Sequence, residues 1–99
     1  MPKEFCVYIL TNKNHTTLYT GMTSNLSKRI WEHKNNVVYG FTSKYKLHIL
    51  VYVETANTLE SALLREHQIK AGSRQKKIDL IKSSNPTWKD LTDDYCSLG

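Results

Sequence analysis

The stretch Phe5-Cys6-Val7-Tyr8-Ile9-Leu10 decides the fold of this chain. Alternate positions of a β-strand face opposite sides, and here both sets of positions are apolar. A strand of this kind is covered on both faces, which predicts that it lies at the centre of a sheet. The polar turn Asn12–His15 and the β-forming run Thr16–Thr20 predict a hairpin. Gly21 is expected to end the second strand, through an unusual backbone conformation or a close neighbour.

The rest of the chain predicts one more strand and three helices. The first helix covers Leu26–Asn35 and is capped from Thr23-Ser24-Asn25. A loop with one helical turn follows over Tyr39–Tyr45, around Gly40, and then a strand over Leu47–Glu54. The second helix runs from Thr58 to Ala71, starts at a capping box with Asn57 as the cap and Glu60 three residues later, and stops at Gly72, and the last helix runs from Ser73 to Lys82. A third strand that returns beside the first after a helical crossover gives a three-stranded antiparallel sheet of order 2-1-3. The predicted fold class is α/β (α+β), with helices covering the sheet.

The length of 99 residues predicts a single domain over residues 1–99. Its core is expected over about residues 5–91, with an acidic C-terminal tail over 92–99. Asn85-Pro86 is expected to end regular structure, with Trp88 and Leu91 packing back as an anchor. No apolar run approaches the ~20 residues of a membrane span, and the N-terminus does not resemble a secretory signal, so we expect a cytoplasmic protein. The two cysteines form no zinc or disulfide framework and are expected to be reduced.

The positive charge of the chain is clustered. The net charge is +5, and the segments 28–46 and 70–82 each carry five basic residues against one acidic residue. Such clusters favour a polyanionic partner through counterion release, although a solvated basic face is an equally good explanation. The candidate nucleic-acid contacts are Lys28, Lys34, Lys44, Lys70, Arg74, Lys76 and Lys77.

One carboxylate interrupts the apolar stripe of the helix after the third strand. The stripe is Leu59, Ala62, Leu63 and Ile69, and Glu66 falls on it. An inward carboxylate costs several kcal/mol unless it has a partner. Two explanations stand side by side: a buried ion pair, for example with Arg29, or a metal ligand or catalytic acid.

Other candidate site residues lie on the first helix and on the hairpin. Arg29 and His33 are four residues apart and share one helix face, flanked by apolar positions. Arginine at the edge of a core suits phosphate recognition, whereas a half-buried histidine is commonly structural. Tyr8 and Tyr19 lie on adjacent hairpin strands, where tyrosines usually pack at a sheet rim. No two histidines have zinc-site spacing, which argues against a zinc hydrolase.

These residues together resemble the GIY-YIG nucleases. Val7-Tyr8-Ile9 and Tyr19-Thr20-Gly21, eleven residues apart from tyrosine to tyrosine, resemble the paired tripeptides that name the family. Tyr19–His33 is similar to the family's second strand, turn and arginine-bearing helix, and Ala62–Lys70 to its helix with a metal-binding glutamate. The resemblance covers about Phe5–Leu91 and points to the small stand-alone, single-domain bacterial branch, in which a similar Trp-Lys-Asp-Leu ending follows a basic helix. Val7, Thr20 and Met22 depart from the residues usual at their positions.

The resemblance implies an enzyme, a GIY-YIG-type endonuclease that hydrolyses a DNA phosphodiester with a divalent cation, Mg²⁺ or Mn²⁺. It implies that Tyr8, Tyr19, Arg29, His33 and Glu66 are catalytic, with Glu66 as the metal ligand. Mg²⁺ accepts one or two protein carboxylates, with water and substrate phosphate completing its shell. Tyr19 is favoured as the general base with Tyr8 orienting it, and the reverse assignment stays open.

The substrate and pathway are less closely defined. We expect DNA, single-stranded or branched in preference to plain duplex, and a role in DNA repair or recombination. RNA as the substrate and the oligomeric state stay open. The alternative function is a non-catalytic nucleic-acid-binding module of the same fold, and a third is an adaptor whose basic surface meets an acidic protein.

Overall fold

The computed structural model describes residues 4–35, 37 and 44–96. Within them the elements are β1 (Phe5–Thr11), β2 (Leu18–Thr23), α1 (Leu26–Lys34), β3 (Ile49–Ala56), α2 (Leu59–Ala71), α3 (Arg74–Ser84) and α4 (Thr92–Tyr95). The strands form one antiparallel sheet of order β2-β1-β3, which confirms the predicted fold class, topology and central first strand. Most of the predicted loop over Tyr39–Tyr45, namely residues 39–43, lies outside the described residues. None of the described helices is long and apolar enough to cross a bilayer.

The two faces of β1 carry two separate hydrophobic cores. Val7 and Ile9 belong to the first core, whose helical members are Ala62 and Ile69 of α2 and Ile81 of α3. Tyr8 and Leu10 belong to the second, which contains Ile30 of α1 and also Leu47, Leu50 and Cys96. The sheet therefore lies between α2 and α3 on one face and α1 and α4 on the other. This is why the sequence of β1 is apolar at every position from Phe5 to Leu10.

The strand boundaries differ from the prediction at both edges of the sheet. β2 does not end at Gly21 but continues to Thr23, with Gly21 opposite Tyr8 of β1. β3 begins at Ile49 and ends at Ala56 instead of running from Leu47 to Glu54. Leu47 is buried but lies outside the ladder. Apolar content alone therefore placed the start of β3 too early, because burial and strand pairing are separate properties.

The N-caps follow the prediction for two helices and differ for the third. The side chains of Asn25 and Ser73 cap α1 and α3 by accepting hydrogen bonds from the backbone N–H three residues later. For α2 the predicted capping box with Asn57 is wrong, since the cap is Thr58, whose side chain accepts from the N–H of Ser61. Asn and Thr are both good caps, so residue type alone does not choose between them. Because β3 extends to Ala56, the cap moves from Asn57 to Thr58.

The predicted apolar stripe of α2 is only half buried. Ala62 and Ile69, two helical turns apart, are covered by the sheet. Leu59 and Leu63 are 48% and 46% exposed, contrary to the prediction. The sheet has only three strands and covers the helix face that carries Ala62 and Ile69. Leu59 and Leu63 lie to one side of that face and stay open to solvent.

The segment after α3 is fixed to the sheet by polar contacts. The Asp90 carboxylate accepts from the N–H of Leu50, from Lys34 Nζ, and from the N–H and hydroxyl of Thr92. Trp88 and Leu91 pack against the first and second cores respectively, which confirms the predicted anchor. Cys96 is buried, so the core extends past residue 91 into the predicted acidic tail. Helix α4 forms within that tail, so the prediction that Asn85-Pro86 ends regular structure is wrong. Both cysteines are free, as expected.

Candidate active site

Three aromatic side chains meet on the α1 face of the sheet. The Tyr8 hydroxyl lies 3.3 Å from His33 Nε2. The ring centroids of Tyr8 and Tyr19 are 6.5 Å apart, and those of Tyr19 and His33 are 5.9 Å apart. Tyr8 and His33 are 2% and 3% exposed, whereas Tyr19 is half-buried. The structure therefore joins three of the predicted site residues in one contact group, formed by β1, β2 and α1.

The Tyr8 hydroxyl packs directly against the backbone of Gly21. A Cβ atom at Gly21 would lie 2.5 Å from Tyr8 Oη, 2.6 Å from Tyr8 Cζ and 3.0 Å from Tyr19 Cε1. Distances below 3.0 Å are far inside van der Waals contact. The prediction of a close neighbour at Gly21 is confirmed, and the glycine is needed for the approach of the two tyrosines.

The hydrogen bond of His33 indicates which ring nitrogen carries the proton. Its Nδ1 is buried and has no hydrogen-bond partner among the described residues. A buried N–H without an acceptor costs about 1–3 kcal/mol, so we assign the proton to Nε2, which donates to Tyr8 Oη. Burial, together with the nearby charge of Arg29, lowers the pKa of His33 to about 4. His33 is therefore neutral at neutral pH, and the Tyr8 hydroxyl keeps its own proton for donation to another group.

The surroundings of Tyr8 oppose its ionisation. Burial is the largest cause that raises the pKa of its hydroxyl, and the neighbouring Tyr19 adds to it. The charge of Arg29 lowers this pKa, and that of Glu66 raises it. Arg29 and Glu66 come from helices on opposite faces of the sheet, and neither is in direct contact with the Tyr8 hydroxyl among the described contacts.

Arg29 lines a small polar cleft beside this group. The cleft has a volume of about 230 Å³ and lies between the end of β2 and the first turns of α1. Its lining residues are Thr23, Ser24, Asn25, Lys28, Arg29 and Glu32. Glu32, which the sequence reasoning missed, also acts on the pKa of both Tyr8 and His33. Its position three residues after Arg29, on the same side of the helix, was the signal that could have found it.

Glu66 is the remaining candidate. Its side chain is 20% exposed, and its carboxylate lies 3.6 Å from Lys70 Nζ, one turn along α2. The ion pair that the structure records is therefore with Lys70 instead of Arg29. A pair with a half-exposed lysine is weak, so the carboxylate has no strong structural partner among the described residues.

Within the described part of the chain, no three His, Cys, Asp or Glu side chains gather into a metal cage. Any cation at Glu66 would therefore depend on one protein carboxylate, with water and a substrate phosphate as its other ligands. This donor set suits Mg²⁺ or Mn²⁺ and does not suit a structural zinc ion.

Several of the predicted nucleic-acid contacts have structural partners. Lys34 donates to Asp90 and to the His48 carbonyl. Lys77 Nζ donates to the carbonyls of Lys70 and Gly72 at the end of α2, and Arg74 donates to the His15 carbonyl. Lys34 and Lys77 are therefore used within the fold. The exposed basic residues of the predicted set are Lys28, Lys44, Lys70, Arg74 and Lys76.

Comparison with known proteins identifies relatives of the whole fold. Residues 4–79 match the family model described as the GIY-YIG catalytic domain. A UPF0213 protein of Syntrophus aciditrophicus is 44% identical over 86 residues, 85% of this chain and 95% of that protein. One of Staphylococcus saprophyticus is 41% identical over 82% of this chain and 96% of its own length. The solution NMR structure of a UPF0213 protein from Bacillus halodurans superposes with a TM-score of 0.58 at 26% identity, covering 95% of this chain and 99% of that one.

Proposed function

Since this chain belongs to the GIY-YIG family of nuclease domains, we propose that it is an endonuclease that hydrolyses a DNA phosphodiester with a divalent cation. The observation that carries the proposal is the contact group of Tyr8, Tyr19 and His33. Arg29 and Glu66 add opposite charges that act on the pKa of the Tyr8 hydroxyl. An aromatic cluster needed only for packing would not require opposite charges from α1 and α2. These are the five residues that the sequence proposed as catalytic.

The two tyrosines would have different tasks. Tyr8 is buried, and the same burial keeps its hydroxyl protonated, so it is unsuited to take a proton from water. Tyr19 is more exposed, and its ring lies tilted beside the rings of Tyr8 and His33. We assign to Tyr19, acting as its phenolate, the positioning of the attacking water and the acceptance of its proton. Tyr8 and His33 would orient Tyr19.

Arg29 and Glu66 would act on the substrate phosphate. The guanidinium of Arg29, at the edge of an open polar cleft, can stabilise the negative charge that develops in the transition state. Glu66 would hold the divalent cation in place of its weak ion pair with Lys70. When bound, the cation supplies Lewis-acid activation of the scissile phosphate and the leaving oxygen.

The exposed basic residues would contact the DNA backbone. Lys28 lies in the wall of the Arg29 cleft, which makes it the nearest candidate for a phosphate next to the scissile bond. Lys44 and Lys76 are exposed and would contact more distant phosphates. The same proposal includes a single-stranded or branched DNA substrate. It also includes a role in DNA repair or recombination and a cytoplasmic location.

The decisive experiment is a cleavage assay. The purified protein is incubated with end-labelled single-stranded, duplex and branched DNA, with Mg²⁺, with Mn²⁺ and with a chelator. We expect cleavage that requires the cation, and its loss in Tyr19→Phe, which removes one hydroxyl and no packing. Tyr95→Phe, a matched change at an exposed tyrosine outside the site, should cut like the wild type.

A wild-type protein that binds these DNAs but never cleaves them would overturn the enzymatic proposal. It would favour the alternative, a nucleic-acid-binding module. Equal activity of the Tyr19→Phe variant would leave a nuclease but remove the assigned base.

A further inference from the structure

A second basic cavity lies apart from the candidate active site. It occupies about 340 Å³ between the turn of the β1–β2 hairpin and the segment that leads into β3. Residues 12–14 line one side, and Tyr45, Lys46, His48 and Ile49 line the other. We call it the hairpin pocket. A volume in this range is typical of cavities that hold small ligands or single groups of larger ones.

The charge of the hairpin pocket has one sign. Lys13 and Lys46 face it from opposite sides, and none of the described residues that line it is acidic. Burial, followed by the charges of Lys34 and Lys46, lowers the pKa of His48, and of these two lysines Lys34 is already paired with Asp90. Uncompensated positive charge in a concave site favours a phosphate-bearing ligand.

The pocket also has an aromatic wall. Tyr45 is 42% exposed, and the Lys44 ammonium lies 5.5 Å from its ring centroid. An exposed ring next to lysines can stack against a nucleobase whose phosphates meet the cations. In duplex DNA the base faces are stacked on each other, so this arrangement suits an unpaired nucleotide.

The two sides of the pocket are held in fixed positions. The Asn12 side chain accepts from the N–H groups of Thr16 and Thr17 and donates to the Thr16 hydroxyl, so the turn that presents Lys13 is rigid. Lys46 has a φ of 54°, in the left-handed region that favours glycine. His15 and Trp88 share this conformation, so for Lys46 it marks a position where glycine would be less strained.

From these observations we infer that the hairpin pocket binds an unpaired nucleotide of a single-stranded DNA segment, with its base on Tyr45 and its phosphates on Lys13 and Lys46. Asn12 directly follows β1 and is four residues from Tyr8, which corresponds to about 13 Å of extended chain. A stacked strand covers this distance with no more than about four nucleotides. One short strand can therefore reach both the pocket and the candidate active site. The inference rests on the proposed function, which it deepens by naming the form of the substrate.

The test measures binding without cleavage. A fluorescein-labelled oligothymidylate of about twelve nucleotides is titrated by anisotropy in the presence of a chelator. Tyr45→Ala should weaken binding at least about fivefold through lost stacking. Lys46→Gly should weaken it and reduce the slope of log affinity against log salt by about 0.7, the value for one lost phosphate contact on a single strand.

Two features separate these effects from damage to the fold. Lys46→Gly removes the strained side chain, so this variant should melt no lower than the wild type. Lys46→Gln should bind as weakly as Lys46→Gly, and Lys46→Arg should bind like the wild type. The matched controls are Tyr95→Ala, at a tyrosine that is 52% exposed elsewhere, and Lys82→Gln, at an exposed lysine of α3.

The outcomes distinguish the pocket from the proposed enzyme. If Tyr45→Ala and Lys46→Gly bind within twofold of the controls, the pocket assignment is wrong even if the wild type cuts DNA. If duplex DNA loses as much affinity as the single strand, the claim of an unpaired nucleotide is wrong. If the pocket variants lose affinity but the wild type never cleaves, the pocket stands and the nuclease proposal fails.

Discussion

Gly21→Ala is the change that most directly tests the geometry of the site. The new methyl group would lie 2.5 Å from Tyr8 Oη and 3.0 Å from Tyr19 Cε1. Carbon contacts are comfortable at about 3.5 Å, so the Tyr8 ring would have to move by about 1 Å. The ring is buried, and its hydroxyl is 3.3 Å from His33, so such a shift also breaks the hydrogen bond.

The magnitude follows from these displacements. Overpacking costs about 1–3 kcal/mol, and the lost hydrogen bond adds about 1 kcal/mol. Replacing glycine returns about 0.4–1 kcal/mol through the unfolded chain. The net loss of about 1–3 kcal/mol lowers the melting temperature by about 4–8 °C for each kcal/mol in a domain of this size. Displacement of a catalytic group by 1 Å can reduce the rate about 100-fold.

The assay combines thermal melting with the rate of DNA nicking. Gly72→Ala is the matched control, because a Cβ there meets its nearest neighbour, the Ile69 carbonyl, at 3.4 Å with ordinary backbone angles. This control should be neutral or more stable than the wild type by about 0.4–1 kcal/mol. If Gly21→Ala melts and cuts like the wild type, the contact between Gly21 and Tyr8 does not position the site.

Three further predictions concern other groups. Glu66→Ala should abolish cleavage and change the free energy of unfolding by less than about 1 kcal/mol, since its ion pair with Lys70 is weak; melting far below the wild type would show a structural role instead. The folded pKa of His33, about 4, lies below the value of about 6.5 in an unfolded chain, so the unfolded state binds more protons between these values. Stability should therefore fall as pH decreases from about 6.5 to 4, by roughly 1–3 kcal/mol, and His33→Gln should lose this part of the pH dependence in denaturant titrations. Asp90→Ala should destabilise the fold by about 2–3 kcal/mol because Lys34 and the start of α4 lose their acceptor, while the folded fraction cuts normally; a rate that falls with stability unchanged would contradict this structural role.

The order of the sheet and the starts of two helices follow from the sequence alone. Apolar residues on both faces of β1 required a central strand, and Asn25 and Ser73 fixed two helix starts through local hydrogen bonds. These features depend on periodicity and on groups within four residues of each other, which the linear sequence records directly.

Tertiary structure decided the details of the site. Tyr8 and His33 are 25 residues apart and meet only because α1 packs on the sheet face that carries Tyr8. The sequence identified Glu66 on its stripe, but only the packing of α2 shows that its side chain is 20% exposed. The exposure of Leu59 and Leu63 likewise depends on how far the sheet extends under the helix.

The hairpin pocket shows the same division between local and long-range information. In the sequence, Lys46 is one member of a basic cluster, and Lys13 lies in a polar turn that predicts only a hairpin. Only the antiparallel pairing of β1 with β3 brings this turn beside the segment before Ile49. Side chains from distant parts of the chain share a cavity because of strand register and packing, and no periodic pattern in the sequence encodes that meeting.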